Sequence, residues 1–199
     1  YHNNLIIGKK GLKNQRNFIN KYFKNNQNIL FIDDDVKEIY ELTNYDKKNI
    51  KSNSKKILEN FNKFVLESFE LLKKEKCYLF GIYPINNPYF MYDRITFDLR
   101  LIVGPFYGII NRHKKELELT IDEKEDVERT LQHFVLDKKV MRCNNICINT
   151  VYYKTKGGMN FKDRKPDALK SAKYLNKKYP EITKLKLNKK SGYAEVKFV

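Results

Sequence analysis

The sequence predicts an α/β domain with a mixed sheet, and three observations lead there. ILFI, from Ile29 to Ile32, is an unbroken apolar run between polar residues, the pattern of a strand covered on both faces. Several stretches carry apolar residues at helical spacing and alternate along the chain with strand-like segments. ITFDLRLIV and YAEVKFV alternate apolar and polar residues, the two-residue period of a half-buried strand. No repeat or linker divides the 199 residues, so one domain spanning 1–199, with a core of its own, is expected.

The elements follow in order. NLIIG predicts a short buried strand closed by Gly8. Leu12, Phe18, Ile19, Tyr22 and Phe23 form one apolar stripe of a helix that KNNQN breaks. ILFI follows as a central strand and runs straight into Asp33, Asp34 and Asp35. The polar segment from Thr43 to Lys56 is expected to be an exposed loop. Ile57, Leu58, Phe61, Phe64, Val65, Phe69 and Leu72 mark an amphipathic helix. CYLFGIYPINNPYFM is a strand entering a long Pro/Asn loop. In ITFDLRLIV the residues Phe97, Leu99, Leu101 and Val103 share a face, and Gly104-Pro105 turns the chain into the strand FYGII. Asp122 to Leu136 reads as a helix with Val127, Leu131, Phe134 and Val135 inward. VMRCNNICINTVYY predicts one long strand or two short ones, and KTKGGMNFKDR a basic Gly-containing loop. Pro166 and Asp167 suit the first turn of a helix ending near KKYP, and YAEVKFV closes the chain as a strand.

Composition excludes some classes and leaves others open. No apolar run approaches the roughly 20 residues of a membrane span, and no secretory signal pattern is visible, so an intracellular protein without a membrane partner is expected. The chain begins at Tyr1 rather than Met, which fits removal of upstream residues. Cys77, Cys143 and Cys147 are odd in number and lack a CxxC spacing, so reduced structural thiols are the expectation rather than zinc ligands. The net charge of +16, from 40 basic and 24 acidic residues, suits a polyanionic partner. A Lys/Asn/Ile-rich chain from an A/T-biased genome would be basic without one, and the lysines are scattered rather than gathered in an arm.

Three adjacent acids in so basic a chain need an explanation. Asp is common in turns because its side chain caps backbone N–H groups. Three together repel one another unless a cation neutralises them. A hard divalent ion does this and keeps open positions for phosphate oxygens. The carboxyl edge of an open α/β sheet is also where ligands bind. A phosphatase with a nucleophilic Asp is weakened by Lys37, which stands where such sites carry Thr or Val. A metal-dependent nuclease would draw further acids from Asp93, Asp98, Asp122, Glu123, Glu125 and Asp126. A basic nucleic-acid-binding module would use the acids only as a capping turn.

GLKNQRNFINKYFKNNQNILFIDDDV joins a Gly-led loop, an Arg-Asn pair on a helix, an apolar strand and Asp-x-Asp. It resembles the donor-binding half of GT-A glycosyltransferases, whose fold is a Rossmann-like mixed sheet flanked by helices. EDVERTL, VMRCNN and VYYKTKGGM are similar to the TET/JBP-associated branch, which transfers sugars onto hydroxymethylated DNA bases and occurs in phages and large DNA viruses. The likeness spans about Ile6 to Met159. It implies a nucleotide-sugar donor such as a UDP-hexose, Mn²⁺ or Mg²⁺ as cofactor, and a hydroxyl acceptor, with DNA as a candidate partner. It places Arg16 and Asn17 beside the nucleotide, Asp33 or Asp34 at the ribose, and Asp35 with Asp33 on the metal. GT-A domains open with a strand-helix-strand unit whose first loop cradles the nucleotide base, and this chain begins near the end of that unit, so either the rest lies upstream in a longer polypeptide or the donor pocket is reduced.

The transfer chemistry selects further residues. A departing diphosphate calls for cations, and Lys9, Lys13, Arg142, Lys154 and Lys156 are candidates; Gly157-Gly158 would admit phosphate close to backbone N–H groups. An inverting enzyme needs a base for the acceptor hydroxyl. In DEKEDVER, Asp126 is the first choice and Glu125 the second, although acids also favour helix N-termini through the dipole. His133 reads as a surface or packing residue. Tyr83, Tyr89, Phe90, Tyr92 and Arg94 gather in one loop, suited either to stacking on sugars and unpaired bases or to anchoring the loop.

Overall fold

A computed structural model describes residues 5–150, 164–187 and 192–199. Its helices are α1 (Leu12–Tyr22), α2 (Phe61–Lys74), α3 (Glu125–Asp137) and α4 (Lys165–Lys178). Its strands are β1 (Asn28–Ile32), β2 (Val36–Asn44), β3 (Ser54–Ile57), β4 (Leu79–Tyr83), β5 (Ile95–Thr96), β6 (Phe106–Ile110), β7 (Met141–Thr150), β8 (Thr183–Lys186) and β9 (Glu195–Phe198).

Seven strands form a mixed sheet in the order β1-β6-β4-β7-β2-β3, with β5 beside the start of β7; β8 and β9 make a separate hairpin against α4. β4 and β7 are parallel, and the other pairs are antiparallel. Because β1 and β4 both oppose β6, the strands β1, β4 and β7 point the same way. The acids after β1 and the aromatic loop after β4 therefore leave the same edge of the sheet.

Helices cover both faces. On one, Phe69 and Leu72 of α2 pack with Phe80, Ile82, Phe106, Met141 and Ile148, and Phe61 and Phe64 join from the same helix. On the other, Ile29, Phe31, Leu79, Tyr107 and Ile109 meet Ile19 and Phe23 near the end of α1 and Phe134 of α3. Successive residues of β1 and β6 divide between the two clusters, as the pleat requires. The side chain of Phe80 lies where a Cβ on Gly108 would sit, between two paired strands. Gly108→Ala is therefore expected to destabilise by about 1–3 kcal/mol, seen as a lower urea midpoint; an unchanged midpoint would show that the Phe80 ring has room to move.

The α/β class and mixed sheet hold, and several local expectations do not. Leu5 and Ile7 are 80% and 90% exposed and form no strand, because no neighbour pairs with them among the described residues. ILFI is an edge strand rather than a central one, with Ile32 45% exposed. Much of the expected loop from Thr43 to Lys56 is a hairpin, since β2 runs on to Asn44 and β3 takes Ser54 to Ile57. Ile57 therefore belongs to that hairpin and not to α2. ITFDLRLIV keeps only two residues of strand, and its fully buried side chain is Ile102, off the expected face. Thr130 Oγ1 accepts the Ile102 N–H at 3.1 Å and Arg129 donates to its carbonyl at 3.4 Å, so α3 side chains replace a strand partner.

α3 departs furthest from its apolar pattern. Leu131 is buried as expected, but Val135 is 43% exposed, while Glu125, Glu128, Arg129, Thr130, Gln132 and His133 are all buried. Glu128 accepts from Thr120 Oγ1 at 2.6 Å and from Lys178 Nζ at 3.2 Å, tying α3 to α4. His133 is a packing residue; burial lowers its pKa, and it faces Asp137 and the Arg112 guanidinium. The three cysteines are buried free thiols.

Candidate functional site

Asp33 sits just past β1, where its N–H donates to the Pro105 carbonyl at 3.0 Å and extends the pairing with β6. Its Oδ1 accepts from Arg16 Nη2 at 2.5 Å. Arg16 is the one buried residue of α1, at 7% exposure, although the helix also carries Phe18 and Ile19. Its guanidinium lies 5.3 Å from the Phe31 ring and 5.5 Å from the Tyr107 ring, which stack at 4.4 Å. A planar, weakly hydrated cation suits such an aromatic seat.

The network continues to α3. Arg129 lies 3.5 Å over the Tyr107 ring and pairs with Glu125 at 2.6 Å. Asp33, Arg16, Tyr107, Arg129 and Glu125 thus form a continuous chain from β1 to α3. Burial pushes the Tyr107 hydroxyl up to about 12 despite the two arginines. Burial also raises the Glu125 pKa, against the opposing effect of Arg129. For Arg16, burial disfavours the charge, but Tyr107, Asp33 and Glu125 outweigh it and leave the pKa raised. Its partners thus hold the Arg16 guanidinium in its charged form, while burial favours the neutral forms of Tyr107 and Glu125.

Gly104 makes this convergence possible. Its carbonyl accepts from Arg16 at 3.4 Å, and a Cβ there would stand 3.1 Å from Glu125 Oε1. A side chain at Gly104 would crowd the Glu125 carboxylate, which would have to give by a few tenths of an ångström where β1 and α3 approach each other. The cleft between them has a volume of about 480 Å³ and is lined by Leu12, Asp33, Pro105, residues 122–127, Arg164 and Glu195, among others.

Among the described residues the lining of the cleft is acidic, in a basic protein. Asp33, Asp122, Glu123, Glu125, Asp126 and Glu195 line it against Lys124 and Arg164. Arg164 pairs with Glu123 at 2.8 Å. Asp122 Oδ1 accepts the Lys13 N–H at 2.9 Å, supplying the cap that α1 lacks from its own residues. Among the described residues, the Asp126 side chain accepts only the neighbouring Val127 N–H, through Oδ1. Asp35 Oδ1 is buried without a hydrogen-bond partner, and burial followed by Asp33 and Asp34 raises its pKa. Among the described residues no three His, Cys, Asp or Glu side chains converge as an ion site.

The remaining sequence-derived residues scatter. Glu125 lines the cleft but is 3% exposed and occupied by Arg129, a poor position for a base. Lys13 lines an adjoining cleft, its Nζ donating to the Thr120 carbonyl at 3.1 Å. Asn17 faces away from the acids; it exchanges two hydrogen bonds of 2.9 Å with the Leu119 backbone and serves as a clamp. Arg142 is buried against the aromatic loop, donating to Asn144 Oδ1 at 2.8 Å and the Tyr92 hydroxyl at 3.1 Å, and does not line the cleft. Asp34 is exposed, and neither it nor Asp35 lines the cleft. Lys154, Lys156, Gly157 and Gly158 lie outside the described residues.

Sequence reading missed Arg129, Tyr107 and Glu195. Arg129 sits in a run of helix-surface residues and Glu195 in a terminal strand, and neither carries a local signal. No protein family model, no curated protein and no solved structure matches the chain.

Proposed function

We propose that the protein is a metal-assisted glycosyltransferase of GT-A type, moving a sugar from a UDP-sugar to a hydroxyl acceptor. One observation carries this reading. Residues distant in sequence (the start of α1, Asp33 after β1, and Asp122 to Val127 at the start of α3) line a single cleft in which, among the described residues, acids outnumber bases. Such a cleft repels a diphosphate unless a cation intervenes.

Asp35 and Asp33 would hold Mn²⁺ or Mg²⁺, with Asp34 turned to the ribose. The orphaned oxygen of Asp35 and its raised pKa fit residues that need a cation beside them. A site of one or two carboxylates completed by phosphates and water is how Mg²⁺ is commonly held with nucleotides. When bound, the ion supplies Lewis-acid neutralisation of the leaving diphosphate. Arg16 orients Asp33. Asp126 takes the acceptor proton as the acceptor oxygen bonds to the anomeric carbon and the bond from that carbon to the phosphate oxygen breaks, releasing UDP. A hydroxymethylated DNA base is the proposed acceptor.

The test is thermal unfolding with UDP and Mn²⁺, separately and together. At about 100-fold excess over Kd, the pair should stabilise by about 2.7 kcal/mol, a Tm rise of roughly 5–10 °C. The rise should vanish in Asp35→Ala. A protein indifferent to every nucleotide that binds DNA with a steep salt dependence would be a nucleic-acid-binding module instead.

A further inference from the structure

The loop after β4 carries an aromatic pair built to stay exposed. Tyr89 and Phe90 are 41% and 48% exposed and meet edge to face at 4.9 Å. They ride on a short turn, Pro88–Phe90, that is fixed from several directions. Pro88 sets its first φ, Asn87 Oδ1 accepts the Tyr89 N–H at 3.0 Å, and Asn53 Nδ2 donates to the Pro88 carbonyl at 3.3 Å. Met91, the next residue, is 2% exposed and anchors the turn in the core. The rings therefore stand out of a rigid mount rather than from a loose loop.

The surroundings identify the occupant. The turn packs against β3 and Ile50–Ser52, which bring Lys55 and Lys51 alongside. Lys55 donates to Asn86 in the same loop, and Arg94 lies 4.9 Å over Tyr92. Asp93 is the one acid of the loop. A second copy would bring like charges together on a chain of net charge +16, which argues against self-association. Flat rings among cations match a polyanion with exposed π faces. An intact duplex hides those faces in its stack, whereas a single strand presents them.

We propose that Tyr89 and Phe90 are a stacking platform for the unpaired bases of single-stranded nucleic acid, with Lys51, Lys55 and Arg94 on its phosphates. The platform is independent of the donor site. It stands beside β3, five strand positions from β1 and about 24 Å away at ~4.8 Å per strand.

Fluorescence anisotropy with labelled dT12, as single strand and in duplex with dA12, tests this between 50 and 200 mM salt. Wild-type protein should prefer the single strand. Tyr89→Ala/Phe90→Ala should weaken its binding about 10–100-fold with an unchanged salt slope, because stacking is worth about 1–3 kcal/mol per base and releases no counterions. Lys51→Ala/Arg94→Ala should instead flatten the slope. Tyr89→Leu/Phe90→Leu, which keeps apolar bulk, guards against misfolding and should weaken binding nearly as much. Absence of single-strand binding, equal affinity for the duplex, or an unchanged affinity in both aromatic variants overturns the proposal. The response to UDP and Mn²⁺, measured on the same variants, should stay at wild-type size and reports on the donor reading separately.

Discussion

Replacing Asp126 by Asn should lower sugar transfer by about 10²–10⁴-fold while leaving donor binding intact. The expectation rests on position and on partners. Asp126 is half-buried in the first turn of α3, lines the cleft shared with Asp33, and is not engaged by any arginine or lysine among the described residues. Glu125, one residue earlier, is committed to Arg129 at 2.6 Å and is shut away from water. Release of UDP from UDP-glucose, with water or hydroxymethylated DNA as acceptor, measures the rate. The Tm response to UDP and Mn²⁺ measures the donor site. Glu125→Gln should do the reverse of Asp126→Asn, lowering stability through the stranded Arg129 before it touches chemistry. Wild-type turnover in Asp126→Asn would remove this residue from the mechanism and leave the acceptor proton without a base at α3.

The largest effect on the fold is expected from Arg16→Met. The change keeps a long apolar stem and removes the charge that holds Asp33 and bridges two aromatic rings. Breaking a fully buried ion pair costs about 3–5 kcal/mol. Asp33 retains 33% of its side-chain exposure, so water relieves part of the loss, and about 2–3 kcal/mol is expected here. For a chain of this size that is a Tm drop of roughly 5–10 °C. The nucleotide response should weaken as well, because Asp33 loses the group that aims it. Arg16→Lys should recover little of either, since an ammonium lacks the flat face that lies against Phe31 and Tyr107. A Tm within 1 °C of wild type in Arg16→Met would mean that the buried guanidinium is no net support to the fold.

Much of the secondary structure was legible because its signals are local. The spacing of Phe61, Phe64, Phe69 and Leu72 specifies α2 wherever it docks, and FYGII and the start of VMRCNN specify strands by their apolar runs. The placement of Asp33 at a strand end and of Asp126 at a helix start was legible for the same reason. Other elements depended on what they would meet. LIIG has the composition of a strand and forms none, since a strand exists only against a partner. ILFI has the composition of a central strand and lies at an edge, because apolar side chains are buried by helices above and below, whatever flanks the backbone.

The sequence by itself determined where most helices and strands begin and that a basic chain concentrates its acids at two points, the end of β1 and the start of α3. Only the tertiary structure decided that these two points face one cleft, that Arg16 rather than a neighbouring apolar residue is the buried side of α1, and that α3 turns a charged face inward. The reason is physical. Periodicity is written within a few turns of chain, whereas the neutralisation of a charge is settled by whichever group the fold carries within a few ångströms of it, and the partners here, Arg16 with Asp33 and Tyr107 with Arg129, lie far apart in the sequence.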